Sequence, residues 1–361
     1  MPDIDQPLAG LRILDLTRLL PGPMATMHLA DMGAEVIKIE GPGSGDYART
    51  MGHVKVAVSQ FFLAINRGKQ FLTLDLKQAD DRERFLALVD TADVVVESFR
   101  PGVMNRLGIG WDVLQARKPS LVMCAISGYG QCGPFAQRAG HDINYIGYAG
   151  MLEQSGGSDG TPALANLQVG DLLGGAQSAV QGILAALLAV KMGGHGRFVD
   201  VSMTDAVFAH NLMPAVAVNN FGRPVAPGKD LLTGGVACYN VYRTSDRRFM
   251  AVGALERKFW ETCCDVLQRP DLKARHWESG QEIGGTDAMA VKAELDALFA
   301  QNTLAHWTGL FDAADCCVTP ILRMDEAMDH PLFIGRQMVR RRDHPTEGVY
   351  TALAPHVKFL A

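Results

Sequence analysis

One imidazole and two carboxylates stand out among the 361 residues for what their types could do together. His141 lies in Gly140-His141-Asp142-Ile143-Asn144-Tyr145, Asp171 follows Gly170 at the start of a long apolar run, and Glu256 ends Val252-Gly253-Ala254-Leu255-Glu256. Such groups suit proton transfer. Each also has a plainer role. Asp171 fits a helix cap, because unpaired N–H groups and the helix dipole favour a carboxylate there. His141 fits a structural histidine and Glu256 a first-turn helix acid. Spacing within one sequence does not bring the three together.

The elements that must position these residues alternate strand and helix. Leu11–Leu16, Glu35–Glu40, Phe71–Leu76, Asp93–Glu97 and Leu121–Ser127 read as strands. A Pro-Gly-Pro turn is expected at Pro21–Pro23, and helices at Ala25–Met32 and Asp80–Val89. This alternation predicts parallel βαβ units and an α/β, doubly wound, Rossmann-like domain. The first turn reads LPGP rather than GxGxxG, and Gly41–Asp46 (GPGSGD) does not clearly open a helix. Dinucleotide binding is therefore disfavoured. Ala176–Val190 reads as a buried core helix, its apolar part too short to span a bilayer.

From Gly196 the pattern changes. Arg197–Met203 reads as a strand, Asp205–Val216 as a helix, and the Gly/Pro-rich Gly222–Gly235 as a connection. Strands at Tyr239–Arg243 and Arg248–Ala254, then helices at Lys258–Leu267, Ala288–Ala300 and Leu304–Ala314, predict a smaller α+β domain. The expected division is a large domain over 1–205, to which 330–361 returns, a linker over 206–230 and the small domain over 231–329.

Hydrophobic residues make up 48% and charged residues 20%, as in a soluble globular enzyme. The net charge of −5 argues against a nucleic-acid partner. Seven cysteines, an odd number with two vicinal pairs and no CxxC, form neither a disulfide framework nor a zinc pattern. The polar N-terminus shows no signal peptide and the last four residues, KFLA, are no peroxisomal address, so a cytoplasmic location is expected, with no membrane partner.

AGHDINY at 139–145, with NLQVGD at 166–171 and VGALE at 252–256, resembles the α-methylacyl-CoA racemases of the family III CoA-transferase superfamily. The similarity also runs through GLRILDL and PGP near the start, NRGKQFLTLDLK at Asn66–Lys77, FRPGVMNRLGIG at Phe99–Gly110 and Asp315–Pro320. It implies a base and an acid, His141 and Asp171, on opposite faces of a substrate α-carbon, with Glu256 partnering the histidine. The thioester acidifies the α-proton, and one acid–base pair serves both directions by exchanging roles. Backbone N–H groups at the start of the Asp171 helix are expected to stabilise the enolate oxygen.

The resemblance further implies CoA contacts at Leu74, Asp75, Leu76 and Lys77, at Ser98 and Arg100, at Arg106, and at Gly140, Asp142, Asn144 and Tyr145. CoA enters as part of an acyl-CoA substrate, and no metal or redox cofactor is required. An interlocked homodimer is also implied, with Glu256 from either subunit. Two alternatives remain. In a CoA-transferase the aspartate at position 171 is the nucleophile; the His141 imidazole and a single glycine before Glu256 disfavour it. A non-catalytic CoA-binding protein is disfavoured by the retained His/Asp/Glu set. In one departure, Glu40-Gly41-Pro42 stands where the racemases often carry an arginine; Lys38 or Arg49 is the expected substitute. Arg67 and Lys69 fit either phosphate contacts or solvated surface charges. The sequence stops at Ala361, earlier than the usual C-terminal tail of the racemases.

Overall fold

The computed structural model describes residues 6–157 and 159–359. The chain forms two units: a larger one of Met1–Met151, Ala165–Asn211 and Pro331–Ala361, and a smaller one of Leu152–Leu164 and Leu212–His330.

Six parallel strands make the sheet of the larger unit: β1 (Arg12–Asp15), β2 (Glu35–Glu40), β3 (Gln70–Thr73), β4 (Val94–Glu97), β5 (Val122–Ser127) and β6 (Phe198–Ser202). Their order is β3-β2-β1-β4-β5-β6. VVVE in β4 and VMCAIS in β5 are buried throughout, the mark of a sheet covered on both faces. Ile13, Val94, Val96 and Cys124 face one layer with Leu29, Ala179 and Ile183. Leu14, Val95 and Met123 face the other with Phe85, Leu86 and Leu114. The strand order reverses between β1 and β4, and ligands of such sheets bind outside the carboxyl ends at that point.

The expected turn at Pro21–Pro23 is instead the first turn of a helix, Pro21–Asp31. Proline suits that position, because the N–H it lacks has no intrahelical partner there. The apolar helix also differs from expectation. Gly170–Gln177 is π-helical and continues into the α-helix Ser178–Lys191. Its small residues pack inward, while Leu173 and Leu188 are 57% and 61% exposed, so it is a half-buried helix. Residues 206–230 are not a plain linker, since the helices Met203–His210 and Leu212–Phe221 take up much of them.

The smaller unit has an antiparallel sheet of β7 (Tyr239–Arg243), β8 (Phe249–Gly253) and β9 (Val318–Pro320). Helices Arg257–Val266, Thr286–Phe299 and Leu304–Phe311 bury Trp260, Phe299, Trp307 and Phe311 with Tyr242. A hairpin, β10 (Val339–His344) and β11 (Gly348–Leu353), belongs to the larger unit. All seven cysteines are free, five of them buried.

Candidate active site

His141 ends the glycine-rich segment after β5 and caps the helix Asp142–Tyr148. Its N–H donates to Asn144 Oδ1 at 3.0 Å, and the Asn144 N–H donates back to the His141 carbonyl at 2.8 Å. This reciprocal pair fixes the backbone and leaves the imidazole exposed. The next residue reaches the second candidate. Asp142 Oδ1 accepts the Asp171 N–H at 3.0 Å. Asp171 is half-buried in the first turn of the π-helix. Burial, aided by the negative charge of Asp142, pushes its carboxyl up to about 7. Such a group holds and releases a proton near neutrality. Gly174 lets this turn approach the Met203–His210 helix, where an added Cβ would lie 2.7 Å from the Met203 carbonyl oxygen.

His141 and Asp171 thus belong to two elements joined through Asp142. Glu256 stands on the smaller unit, as N-cap of Arg257–Val266. Its carbonyl accepts from the N–H groups of Phe259 and Trp260, and its side chain is exposed. The expected enolate donors are corrected in part. The Asp171 N–H is taken by Asp142, and the Leu172 N–H by the Gln168 carbonyl at 2.8 Å.

At the carboxyl ends of β1–β4 lies a cavity of about 450 Å³. Leu74, Asp75, Leu76 and Lys77 line it, together with Arg18 and Phe99. Ser98 sits at its edge, where its Oγ accepts the Arg18 N–H at 3.2 Å. Arg100 and Arg106 are exposed and lie outside the lining. Gly140, Asn144 and Tyr145 belong to the His141 turn instead; the Tyr145 hydroxyl donates to the Gly140 carbonyl. Neither expected substitute for the missing arginine is available. Lys38 is buried against Asp46 (3.0 Å) and the Thr17 carbonyl, and Arg49 pairs with Glu40 at 2.6 Å. Lys69 and Arg67 also have internal partners, Asp15 and Asp31.

Sequence reasoning missed Arg18. Its guanidinium lies 5.6 Å from the ring centres of both Tyr47 and Phe99, a planar cation on the cavity wall. Its place just after β1, next to the point where the strand order reverses, was the available signal.

Glu97, which ends β4, was missed as well. It is buried, and its Oε2 accepts the Phe99 N–H at 2.6 Å. Burial pushes its carboxyl up to about 7, opposed by the Phe99 N–H and aided by Asp200. The folded protein therefore binds this proton more tightly than the unfolded chain, and stability falls as pH rises from 4.5 towards about 7. Glu97→Gln keeps a carbonyl acceptor for Phe99 and removes that loss. Urea unfolding should show the variant more stable than wild type by about 1–3 kcal/mol at pH 8, with the gain gone near the ordinary carboxylate range. An equal offset at both pH values would refute the assignment.

CoA-transferase family III matches residues 8–360, nearly the whole chain. The chain belongs to that family. It is 35% identical to the human α-methylacyl-CoA racemase over 325 residues, 90% of this chain and 80% of the human protein. It is 31% identical to the human succinyl-CoA:glutarate CoA-transferase over 356 residues, 98% of this chain and 80% of that protein. A crystal structure of a CaiB/BaiF family protein from Brucella suis superposes with a TM-score of 0.83 at 27% identity, covering 98% of this chain and 93% of that one. This family III chain is thus an enzyme of a superfamily that acts on CoA thioesters, and its relatives carry both racemase and transferase names.

Proposed function

We propose that this family III enzyme is an α-methylacyl-CoA racemase. The observation that carries the reading is the junction at Asp142: a histidine caps the helix whose next residue grips the backbone of an aspartate that titrates near neutrality. A transferase needs an ionised aspartate as nucleophile and has no use for a neighbouring imidazole. A 1,1-proton transfer needs both groups.

In one direction the His141 imidazole takes the α-proton of the 2-methylacyl thioester. The C–H electron pair moves into the thioester carbonyl to form an enolate, and protonated Asp171 delivers its proton to the opposite face. The reverse reaction exchanges the roles. Glu256 orients the imidazole, from its own or a partner subunit. CoA is held along Leu74–Lys77 with Arg18 and Phe99, in the cavity at the strand ends. A cytoplasmic homodimer completes the reading. Exposed apolar side chains at Leu188, Met192 and Phe208 of the larger unit support a second copy covering them.

The transferase reading has support of its own, since transferase relatives match the chain at 31% and 35% identity over more than nine-tenths of its length. Incubation of a single 2-methylacyl-CoA epimer in heavy water separates the two. The expected result is deuterium at the α-carbon and loss of optical purity with no acceptor acid present. CoA transfer to an added carboxylic acid, without α-exchange, would reject the racemase.

A further inference from the structure

The Asp142 carboxylate faces inward, to Asp171, and this gives it a role that CoA binding does not supply. We propose that Asp142 is a positioning residue for Asp171: its carboxylate anchors the first turn of the π-helix and sits where its charge bears on the neighbouring carboxyl. The inference rests on the acid–base reading of Asp171 and deepens it.

Two contacts converge on one atom. Asp142 Oδ1 accepts the Asp171 N–H at 3.0 Å, and a Cβ built on Gly170 would lie 3.0 Å from the same oxygen. A side chain at 170 would therefore press on the anchor. A turn with i→i+5 bonds is a local irregularity that needs such support. The anchor carries a negative charge, and two carboxylates sharing one site resist joint ionisation.

Burial and the Asp142 charge act on the Asp171 carboxyl in the same direction. From the Asp142–Tyr148 helix, Asp142 and Tyr145 face Asp171, and burial pushes the tyrosine hydroxyl well above its ordinary range, so it carries no charge. From the helices Pro21–Asp31 and Met203–His210, Pro21 and Met203 lie against the π turn; His210 shares a cavity wall with Leu173, Gly174 and Gln177, and His356 lies 3.4 Å from Gln177. Asp142 therefore does two things: its oxygen fixes where the Asp171 main chain sits, and its charge adds to burial in favouring the protonated side chain.

The test uses the full chain with Asp142→Asn and Asp142→Ala. Asp171 is titrated directly by carbon-13 NMR of aspartate-labelled protein, its signal assigned by absence in Asp171→Asn. Asparagine keeps a carbonyl acceptor for the amide but removes the charge. In Asp142→Asn the Asp171 titration should fall by on the order of one unit. The pH–rate profile for racemisation should move to lower pH, with the rate at the new optimum within a few-fold of wild type. Asp142→Ala also removes the acceptor and should lose about 10- to 100-fold at every pH. If the alanine variant does not fold, Asp142→Asn carries the test.

An unmoved Asp171 titration in folded Asp142→Asn overturns the proposal, the more so if CoA affinity drops, since the carboxylate is then a CoA contact. If the titration moves but wild type exchanges no α-proton, the positioning role stands and the racemase reading falls.

Discussion

His141→Ala should lower the rate of racemisation by about 10²–10⁴-fold, the usual contribution of a positioned general base. The loss should sit in kcat, because the CoA cavity at the ends of β1–β4 does not include His141 in its lining. The fold should persist, since the residue contributes its backbone to the helix cap through Asn144 while its imidazole is exposed. Far-UV circular dichroism and CoA affinity by calorimetry serve as controls. Near-normal racemisation in a folded variant that still binds CoA would remove His141 from the mechanism.

Asp171→Asn should collapse net inversion by a similar factor, about 10²–10⁴-fold, yet leave a partial reaction. Asparagine can hydrogen-bond but cannot accept the α-proton. The epimer that presents its proton to His141 should still wash in deuterium, with retained configuration. The other epimer should be inert. His141→Gln should give the mirror pattern. Equal loss of exchange for both epimers in both variants would argue for one base only. In wild type, acyl-CoA should leave no covalent mark on Asp171. A mass shift there after hydroxylamine or borohydride trapping would instead make it the nucleophile of a transferase.

The sheet was readable because β4 and β5 are apolar up to their last residues, Glu97 and Ser127, which follows from burial on both faces. The Pro-Gly-Pro segment was misread because proline serves turns and first helical turns equally well. The buried lysines were harder. Lys38 and Lys69 look like surface charge until the partners Asp46 and Asp15 are known, and Lys69 lies 54 residues from its aspartate. The long helix looked more buried than it is, because composition does not say which of its faces meets the sheet. His141, Asp171 and Glu256 came from the likeness to a family and not from spacing. The Asp142 contact to Asp171 spans 29 residues, so no local pattern carries it.

The π-helical stretch has a consequence for chain length. An i→i+5 turn amounts to an extra residue carried inside an α-helix. Each residue of an α-helix turns the chain by about 100°. Deleting one residue between Leu172 and Gln177 would let the stretch relax to ordinary α-helix while Ser178–Lys191 kept its seat on the sheet. The carboxyl at 171 would then keep nearly its direction, because the wider turns had already absorbed the residue that is removed. A one-residue deletion inside Ser178–Lys191 has no such slack and would turn everything before it, Asp171 included, by about 100°.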